Sequence, residues 1–326
     1  MRNKKSTRKA AAQGSRYKVK NWSEYNEALK KRGSLEIWID EKVEEQWYYH
    51  GPSQRGGQFE YSDKCIEMAC TVKEVYRLGY RQTEGFLGSL ISKMGWEVQV
   101  PCYTQINRRR KKLNISIATG RKGQKEKLYI VVDSTGSKVY GEGEWKVRQH
   151  GWSQHRTWRK IHLAIDESTG EIESCQTTTN SIADEDMVEP LLKDIRENID
   201  KFAGDGAYDK KKVHDNLERR KIKAIIPPRK NARIGKHGNC GGKAKPRDKI
   251  IRQIRKLGRK GWKKKSDYHR RSIAESTMFR YKNTFGGKMV SRSIQQQEIE
   301  VRIKCKILNR MVKLGMPDAY PISKAA

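Results

Sequence analysis

The sequence predicts an α/β domain preceded by a helical region of the helix-turn-helix type. Residues 128–132 form a continuous apolar run rich in β-branched side chains, which is typical of a strand buried on both faces. Residues 161–165 alternate in the pattern of a second strand. Upstream, residues 62–112 contain three short helical patterns, and the last of them ends in five consecutive cations.

The charge of the 326-residue chain indicates the kind of partner it binds. It has 71 Lys and Arg residues against 38 Asp and Glu, a formal net charge of +33. Such a charge creates a field that concentrates polyanions, so we expect nucleic acid as the partner. A membrane surface is the alternative. It is usually bound by one long amphipathic helix, whereas these cations are spread through several segments.

Nothing in the sequence predicts secretion or a membrane span. The basic N-terminus is followed by no apolar segment, and no apolar run approaches the roughly 18 residues of a transmembrane helix. The six cysteines are scattered, which favours reduced thiols, and His237 with Cys240 lacks the second ligand pair of a zinc site. We therefore expect a cytoplasmic protein without a membrane partner.

The first part of the chain divides into two predicted regions. Residues 1–60 are a basic N-terminal arm, mobile up to about residue 33, and a small acidic and aromatic lead-in. Residues 61–118 form three helices, each begun by a side chain suited to an N-cap. These predicted caps are Ser62, Thr83 and Thr104.

The third of these helices has two interpretations. It ends in a run of cations that includes Arg108, Arg109, Arg110 and Lys111. A recognition helix would place these cations against DNA, whereas a small helical bundle would leave them as a solvated, charged end. We favour DNA binding, because consecutive cations repel one another unless phosphates neutralise them.

Residues 124–317 are predicted to form the α/β domain, with a basic insertion at about 228–265. Two acids, Asp133 and Asp205, directly follow predicted strands of this domain. Side chains at the carboxyl ends of strands line the crevice in which open α/β sheets bind ligands. If the two strands are neighbours, the acids lie about 4.8 Å apart.

A pair of carboxylates at that separation favours metal binding. The two groups repel each other unless one is protonated or a cation bridges them. Oxygen ligands suit Mg²⁺, with Mn²⁺ as a substitute, and two such ions about 3.5–4 Å apart commonly promote in-line attack on a phosphodiester. The pattern therefore predicts a site for two ions, which requires a third acid.

A predicted helix over residues 268–285 supplies that acid. At about 100° per residue, Tyr268, Arg271, Glu275 and Lys282 project from one narrow face. Glu275 could bind metal while its neighbours contact a nucleic-acid backbone. The same face could instead be solvated, with an Arg271–Glu275 salt bridge worth a few tenths of a kcal/mol. Spacing alone leaves both interpretations open.

Six sequence motifs carry a resemblance to a known family. Three of them are VVDSTG around Asp133, GDGAYD around Asp205 and YHRRSIAESTMFRYK around Glu275. The others are RQTEGFL, RTWRKIHLAID and LNRM-x-x-LGMP, so the similarity covers most of the chain. Together they resemble the DDE transposases of bacterial insertion sequences, in particular the insertion-sequence-five family with its Tyr-Arg-Glu-Lys signature.

The resemblance implies a ribonuclease H-like core with a mixed five-stranded sheet. It also implies Mg²⁺ ions held by Asp133, Asp205 and Glu275, and cut-and-paste transposition. The partners it implies are the inverted repeats and the target, both double-stranded DNA, with the protein as a homodimer or higher oligomer on the bacterial nucleoid. Two alternatives remain, a nuclease or resolvase without strand transfer and a non-catalytic DNA-binding repressor.

Other residues near the expected site have less specific interpretations. In the implied strand order Asp166 lies two strands from Asp133, about 10 Å away, which is too far to share a metal. Asp209 is expected to cap a helix or to support the site. Three tryptophans in a basic stretch could pack in the core or stack on an unpaired base at the element end. They are Trp145, Trp152 and Trp158.

Overall fold

The computed structural model describes residues 16–53, 55–117, 127–139, 158–235 and 245–322. Several expectations fall outside these ranges. They concern the arm up to residue 15, the pair His237 and Cys240, and the stacking candidates Trp145 and Trp152.

The chain from Arg16 onward forms regular structure, so the prediction of a mobile arm up to about residue 33 was wrong there. Strand β1 (Arg16–Val19) pairs antiparallel with the C-terminal β8 (Ala319–Ile322). The side chain of Asn21 fixes this pairing, since it donates to Met316 O at 3.0 Å and accepts from Asp318 N at 2.7 Å. Two helices follow, α1 (Trp22–Lys31) and α2 (Leu35–Trp38).

The three predicted helices of the N-terminal half are present. They are α3 (Asp63–Val75), α4 (Tyr80–Met94) and α5 (Tyr103–Arg110). Ser62 caps α3 as expected, with its hydroxyl accepting from the Cys65 N–H at 3.1 Å. The other two helices begin before Thr83 and Thr104, because Gln82 and Gln105 accept hydrogen bonds from the backbone N–H groups that precede each helix.

The α/β half is built on a mixed sheet with helices, which confirms that part of the predicted fold class. Its main strands are β2 (Leu128–Val139), β3 (Trp158–Asp166), β4 (Ile172–Thr179), β5 (Ile199–Ala203) and β6 (Lys223–Ile225). In the spatial order β4-β3-β2-β5-β6, the first two pairings are antiparallel and the last two parallel. A short sixth strand, β7 (Lys288–Met289), extends this arrangement by pairing with the end of β2.

Strand β2 does not end at Asp133 as the sequence suggested. Its pairing with β3 continues from Ser134, opposite His162, to Lys138, opposite Trp158. Asp133 therefore lies within a strand, where pairing with Leu163 of β3 restrains its backbone.

Helices cover both faces of the sheet. They are α6 (Val188–Asp194), α7 (Lys211–Arg219), α8 (Pro246–Lys265), α9 (Ser272–Phe285) and α10 (Ile294–Leu314). Helices α6 and α7 pack on the face that contains Ile130 and Val132. Helices α8, α9 and α10 pack on the face of Val131. Asp133 shares the second face, because side chains alternate along a strand.

Helix α10 joins the two halves of the molecule. Ile303 and Ile307 belong to the core of the N-terminal helices, whereas Val301, Cys305 and Leu308 belong to the core under the sheet. One helix thus contributes to both cores and ties them together. Among the described residues, no helix combines the length and apolarity needed to cross a bilayer.

Candidate active site

Two carboxylates come together at the centre of the sheet. In the parallel pair β2–β5, Val131 lies opposite Ala203, and Asp133 and Asp205 follow two residues later on their respective chains. Because neighbouring strands are about 4.8 Å apart, the two side chains project into the same space.

Local hydrogen bonds fix one oxygen of each carboxylate. Oδ1 of Asp133 accepts from the N–H of Ser134 at 2.9 Å. Oδ1 of Asp205 accepts from the N–H of Ala207 at 2.8 Å, and so caps the 3-10 turn that follows β5. A Cβ atom at Gly204 would lie 2.8 Å from the ring of Tyr208, so this close approach of ring and backbone requires glycine.

The environment of Asp133 disfavours its charged form. Burial raises its pKa, and the charges of Asp205 and Glu275 raise it further. The Ser134 N–H and the Arg271 guanidinium act in the opposite direction without reversing the shift. The site is thus a concentration of negative charge that an additional cation would stabilise.

The third acid reaches this site through an arginine. Arg271 Nη1 lies 3.3 Å from Oδ2 of Asp133, and its Nη2 donates to Oε1 of Glu275. The Arg271–Glu275 salt bridge that the sequence allowed is therefore present, and its arginine also contacts Asp133. Metal binding by Glu275 stays a prediction. The predicted helix is modified in its first turn, which is a 3-10 turn (Tyr268–Arg271) leading into α9.

The three acids have the chemistry of ligands for a hard divalent cation, although their oxygens do not converge on one position. Asp133, Asp205 and Glu275 offer only carboxylate oxygens, which Mg²⁺ prefers. Nevertheless, the described residues contain no group of three His, Cys, Asp or Glu side chains close enough to hold an ion. The reason is visible in the ion pairs, because the Arg271 guanidinium bridges Asp133 and Glu275, whose side chain is 59% exposed.

An open cleft of about 490 Å³ extends from Glu275 along the 3-10 turn. It is lined by Lys263, Lys264, Tyr268, His269, Arg271, Ser272 and Glu275. Lys263 Nζ lies 5.1 Å from the centroid of the Tyr268 ring, and the ring of Trp262 packs against the same phenol. Burial raises the pKa of Tyr268, so its hydroxyl stays protonated at neutral pH.

Lys263 and Lys264 were not predicted as individual site residues, because the sequence shows them only as part of a basic insertion. The one signal for their position is a run of three lysines shortly before the 268 turn. Lys282, which was predicted to contact DNA, is exposed on α9, two helical turns or about 10 Å beyond Glu275 along the axis.

The run of cations in α5 divides into two groups. Arg109 is 7% exposed, and it donates to Tyr61 O and to Asp63 Oδ1 at 2.6 Å each. Arg110 is 1% exposed and lies 3.7 Å from both Glu74 and Glu300.

The prediction that Arg109 and Arg110 contact DNA was therefore wrong. The physical reason is geometric, because consecutive residues point all around a helix and two of these cations must face the bundle, where acids neutralise them. Arg108 and Lys111 are exposed and remain candidates for DNA contacts.

The structure corrects the predicted place of Asp166 and one of the two alternatives for Asp209. Asp166 lies on the strand adjacent to Asp133 rather than two strands away. It pairs with Ile130 and so faces the opposite side of the sheet, which still separates it from the site.

Asp209 does not cap α7, whose N-cap is Lys210. It accepts from Arg247 at 2.7 and 2.9 Å and from the Arg229 N–H at 3.1 Å. Although burial opposes it, hydrogen bonds from His214, Arg247 and Arg229 hold the pKa of Asp209 well below its usual range. Asp209 thus attaches the insertion to the loop that follows Asp205.

Comparison with known proteins identifies the family of the chain. Two sequence profiles, both described as a transposase DDE domain, match residues 124–310 and residues 30–142. The first match covers more than half of the chain and includes all three acids. The chain therefore belongs to the family of DDE transposase domains.

One solved structure that resembles the protein is the synaptic complex of piggyBac transposase with hairpin DNA, determined by cryo-electron microscopy. The sequences are 10% identical, and the match covers 87% of this chain and 74% of that chain. The TM-score of 0.38 is too low to establish a shared topology.

Proposed function

We propose that this protein is the transposase of a bacterial insertion sequence of the insertion-sequence-five family. Tyr268, Arg271, Glu275 and Lys282 form its Tyr-Arg-Glu-Lys signature, and the mixed sheet is its ribonuclease H-like core. The observation that carries the proposal is the placement of Asp133 and Asp205 by the adjacent strands β2 and β5, with Glu275 linked to Asp133 through Arg271.

Asp133, Asp205 and Glu275 would hold two Mg²⁺ ions, with Mn²⁺ as a substitute. When bound, these ions supply the positive charge that favours an attacking hydroxyl and a departing 3′ oxygen at phosphorus. The raised pKa of Asp133 supports this role, because a carboxylate disfavoured in its charged form gains most from a neighbouring cation.

The surrounding residues would orient the DNA backbone. The Arg271 guanidinium presents parallel N–H donors that match two phosphate oxygens, and the protonated Tyr268 hydroxyl is a further donor. Lys263 and Lys264 line the same cleft as Glu275, so a phosphodiester lying in it would contact cations as well as the acid. Positioning of this kind accounts for a large part of catalysis in such reactions.

Recognition of double-stranded DNA would extend beyond the cleft. Helix α8 carries ten Lys and Arg residues and one acid over Pro246–Lys265. Together with Arg108 and Lys111, it would bind the inverted repeats of the element or the target. A homodimer or higher oligomer would bring two element ends together on the nucleoid.

The test uses purified protein, a supercoiled target plasmid and a duplex carrying the inverted repeat found beside the coding region. We expect Mg²⁺-dependent cleavage and strand transfer, and loss of both in Asp133→Ala, Asp205→Ala and Glu275→Ala with DNA binding retained. Glu298→Ala, which removes an exposed acid on α10, is the matched control.

The other outcomes would indicate a different class of protein or a different set of site residues. Cleavage without joining would indicate a nuclease or resolvase, and metal-independent binding without any cleavage would indicate a repressor. Retained cleavage in one of the three acid variants would remove that residue from the site.

A further inference from the structure

Helix α9 presents an exposed aromatic side chain next to the catalytic acid. Phe279 is 71% exposed, the highest value among the large apolar side chains in the described ranges. An isolated exposed apolar residue needs no explanation in general. Phe279, however, lies on the helix that carries Glu275 and Lys282, so its exposure at this position requires an explanation.

The four other phenylalanines of the chain each pack against a tyrosine ring. Their centroids lie 5.4–6.3 Å from those of their partners. The pairs are Phe59–Tyr49, Phe86–Tyr76, Phe202–Tyr208 and Phe285–Tyr281. Phe279 alone among the five leaves its ring open to solvent.

The helix geometry places the Phe279 ring on the same stripe as the site. Phe279 follows Glu275 by four residues and precedes Lys282 by three, so the three side chains lie within about 60° of one another. The axial separations are about 6 Å and about 4.5 Å. Helix α9 buries the opposite face, including Ala274, Met278 and Tyr281, which keeps the Phe279 ring on the solvent side.

The surroundings of Phe279 favour a nucleobase over a protein partner. Its exposed neighbours on α9 are polar or charged, namely Ser272, Glu275, Ser276, Lys282 and Asn283. A protein interface needs a contiguous apolar patch at its centre. A base needs only one flat ring, with cations nearby for the phosphate that precedes or follows it.

We propose that Phe279 is a base-stacking site, which binds an unpaired nucleobase next to the phosphodiester held at Asp133, Asp205 and Glu275. The proposal rests on the proposed function for the identity of the ligand as DNA. A base leaving the duplex at the cleavage point would stack on the phenyl ring, while Lys282 contacts the adjoining backbone. Stacking of this kind depends little on sequence, since every base has a π face.

The test compares two DNA probes of the same sequence, a short blunt duplex and a duplex with a 5′ single-stranded overhang that contains 2-aminopurine. Ca²⁺ replaces Mg²⁺ so that binding is measured without cleavage. Wild-type protein should quench the 2-aminopurine fluorescence on binding. Phe279→Ala should weaken binding of the overhang probe by at least about fivefold, the lower end of a base–aromatic stack, and leave the blunt probe unchanged.

Two further variants separate stacking from general apolar contact. Phe279→Trp should preserve the overhang preference, and Phe279→Leu should lose it, because leucine keeps the apolar volume without a π face. Trp22→Ala removes another exposed aromatic, 59% exposed on α1, and should change neither probe.

The proposal would be overturned if Phe279→Ala bound the overhang probe as tightly as wild type does. It would also be overturned if the variant lost affinity equally for the overhang probe and the blunt probe. Loss of self-association, measured by light scattering, with unchanged overhang binding would assign the ring to a protein interface instead. Failure of the proposed function is distinguishable, because it would appear as absence of cleavage by the wild type, whatever the overhang preference.

Discussion

Arg271 lies between two acids of the candidate site, Asp133 and Glu275. Its guanidinium contacts Asp133 and Glu275, and it compensates part of the charge of three neighbouring carboxylates. The arrangement explains how the acids can be held together before metal binds. It also implies that a metal ion would compete with Arg271 for the acids, whereas a phosphate would compete with the acids for Arg271. Either ligand would break the ion pairs.

The free-energy cost of keeping Asp133 charged in the folded protein can be tested by measuring thermal stability. The pKa of Asp133 is raised in the folded protein, so protonated Asp133 favours the folded state at low pH. This contribution to stability is lost as the pH rises through that pKa. Asp133→Asn should therefore melt about 1–3 °C above wild type at pH 7 without divalent metal. The gain should shrink towards pH 4.

Thermal melting at both pH values checks this prediction, with Asp186→Asn, a half-exposed acid, as the control. In wild type, Mg²⁺ should raise the melting temperature, and in the variant this effect should be smaller. A lower melting temperature for Asp133→Asn at pH 7 would show that the Arg271 contact outweighs the repulsion.

At the scale of the element, the junction between the N-terminal helices and α10 contains a buried group of charges. Lys73 and Glu74 on α3, Arg110 on α5, and Glu300 and Lys304 on α10 are each at most 6% exposed. Glu300 also accepts from the N–H groups of Val290 and Ser291, at 3.1 and 2.9 Å. The junction therefore fixes α10 to the bundle and to the segment after β7.

Glu300 should be important for stability. Although burial opposes ionisation, Lys304 and Arg110 hold the pKa of Glu300 down, at about 2. Its contribution is present above the ordinary glutamate pKa and is lost as pH falls from there through about 2. Glu300→Gln leaves three buried cations, Lys73, Arg110 and Lys304, to share the single acid Glu74, so we expect a loss of about 3–5 kcal/mol in the free energy of unfolding at pH 7.

Urea unfolding at pH 7 and pH 3 measures this loss, which should be smaller at pH 3. Glu298→Gln, two residues earlier and exposed, should cost less than about 0.5 kcal/mol. Equal effects of the two variants would contradict a structural role for the buried group.

The elements that the sequence predicted are those whose pattern is local. The apolar run at 128–132 and the spacing of Glu275 and Arg271 are enough to place β2 and the acid-bearing helix. Strand β4 was not predicted, because its burial depends on distant partners. Asn309 on α10, for example, exchanges hydrogen bonds of 2.7 and 2.8 Å with the backbone of Ile172.

The same limit explains the misplaced arginines. Whether Arg110 points to DNA or into the bundle depends on Glu74 and Glu300, which belong to helices far away in the sequence. The exposed Phe279 likewise gave no local signal, since an aromatic in a helix is usually buried.

On the scale of the whole molecule, the charge of +33 is distributed unevenly. Two of the α5 cations are neutralised inside the protein, whereas most of the cations of α8 are exposed. Arg247 and Asp209 attach the start of this helix to the loop after Asp205, and its end lies at the cleft with Lys263 and Lys264. Helix α8 therefore offers a cationic surface that leads to the acids.

The salt dependence of DNA binding tests this surface. Each phosphate that the protein neutralises contributes about −0.9 to the slope of log K against log salt concentration. The triple change of Lys256, Lys260 and Lys264 to Gln should make the slope less steep by up to about 2.7, with weaker binding of all duplexes.

The matched control changes Lys20, Lys31 and Lys193, exposed lysines outside α8, and removes the same charge. If only the net charge matters, the slope of log K against log salt concentration will become less steep by the same amount in both triple variants. A loss confined to the α8 variant places the phosphates on the path to Asp133, Asp205 and Glu275.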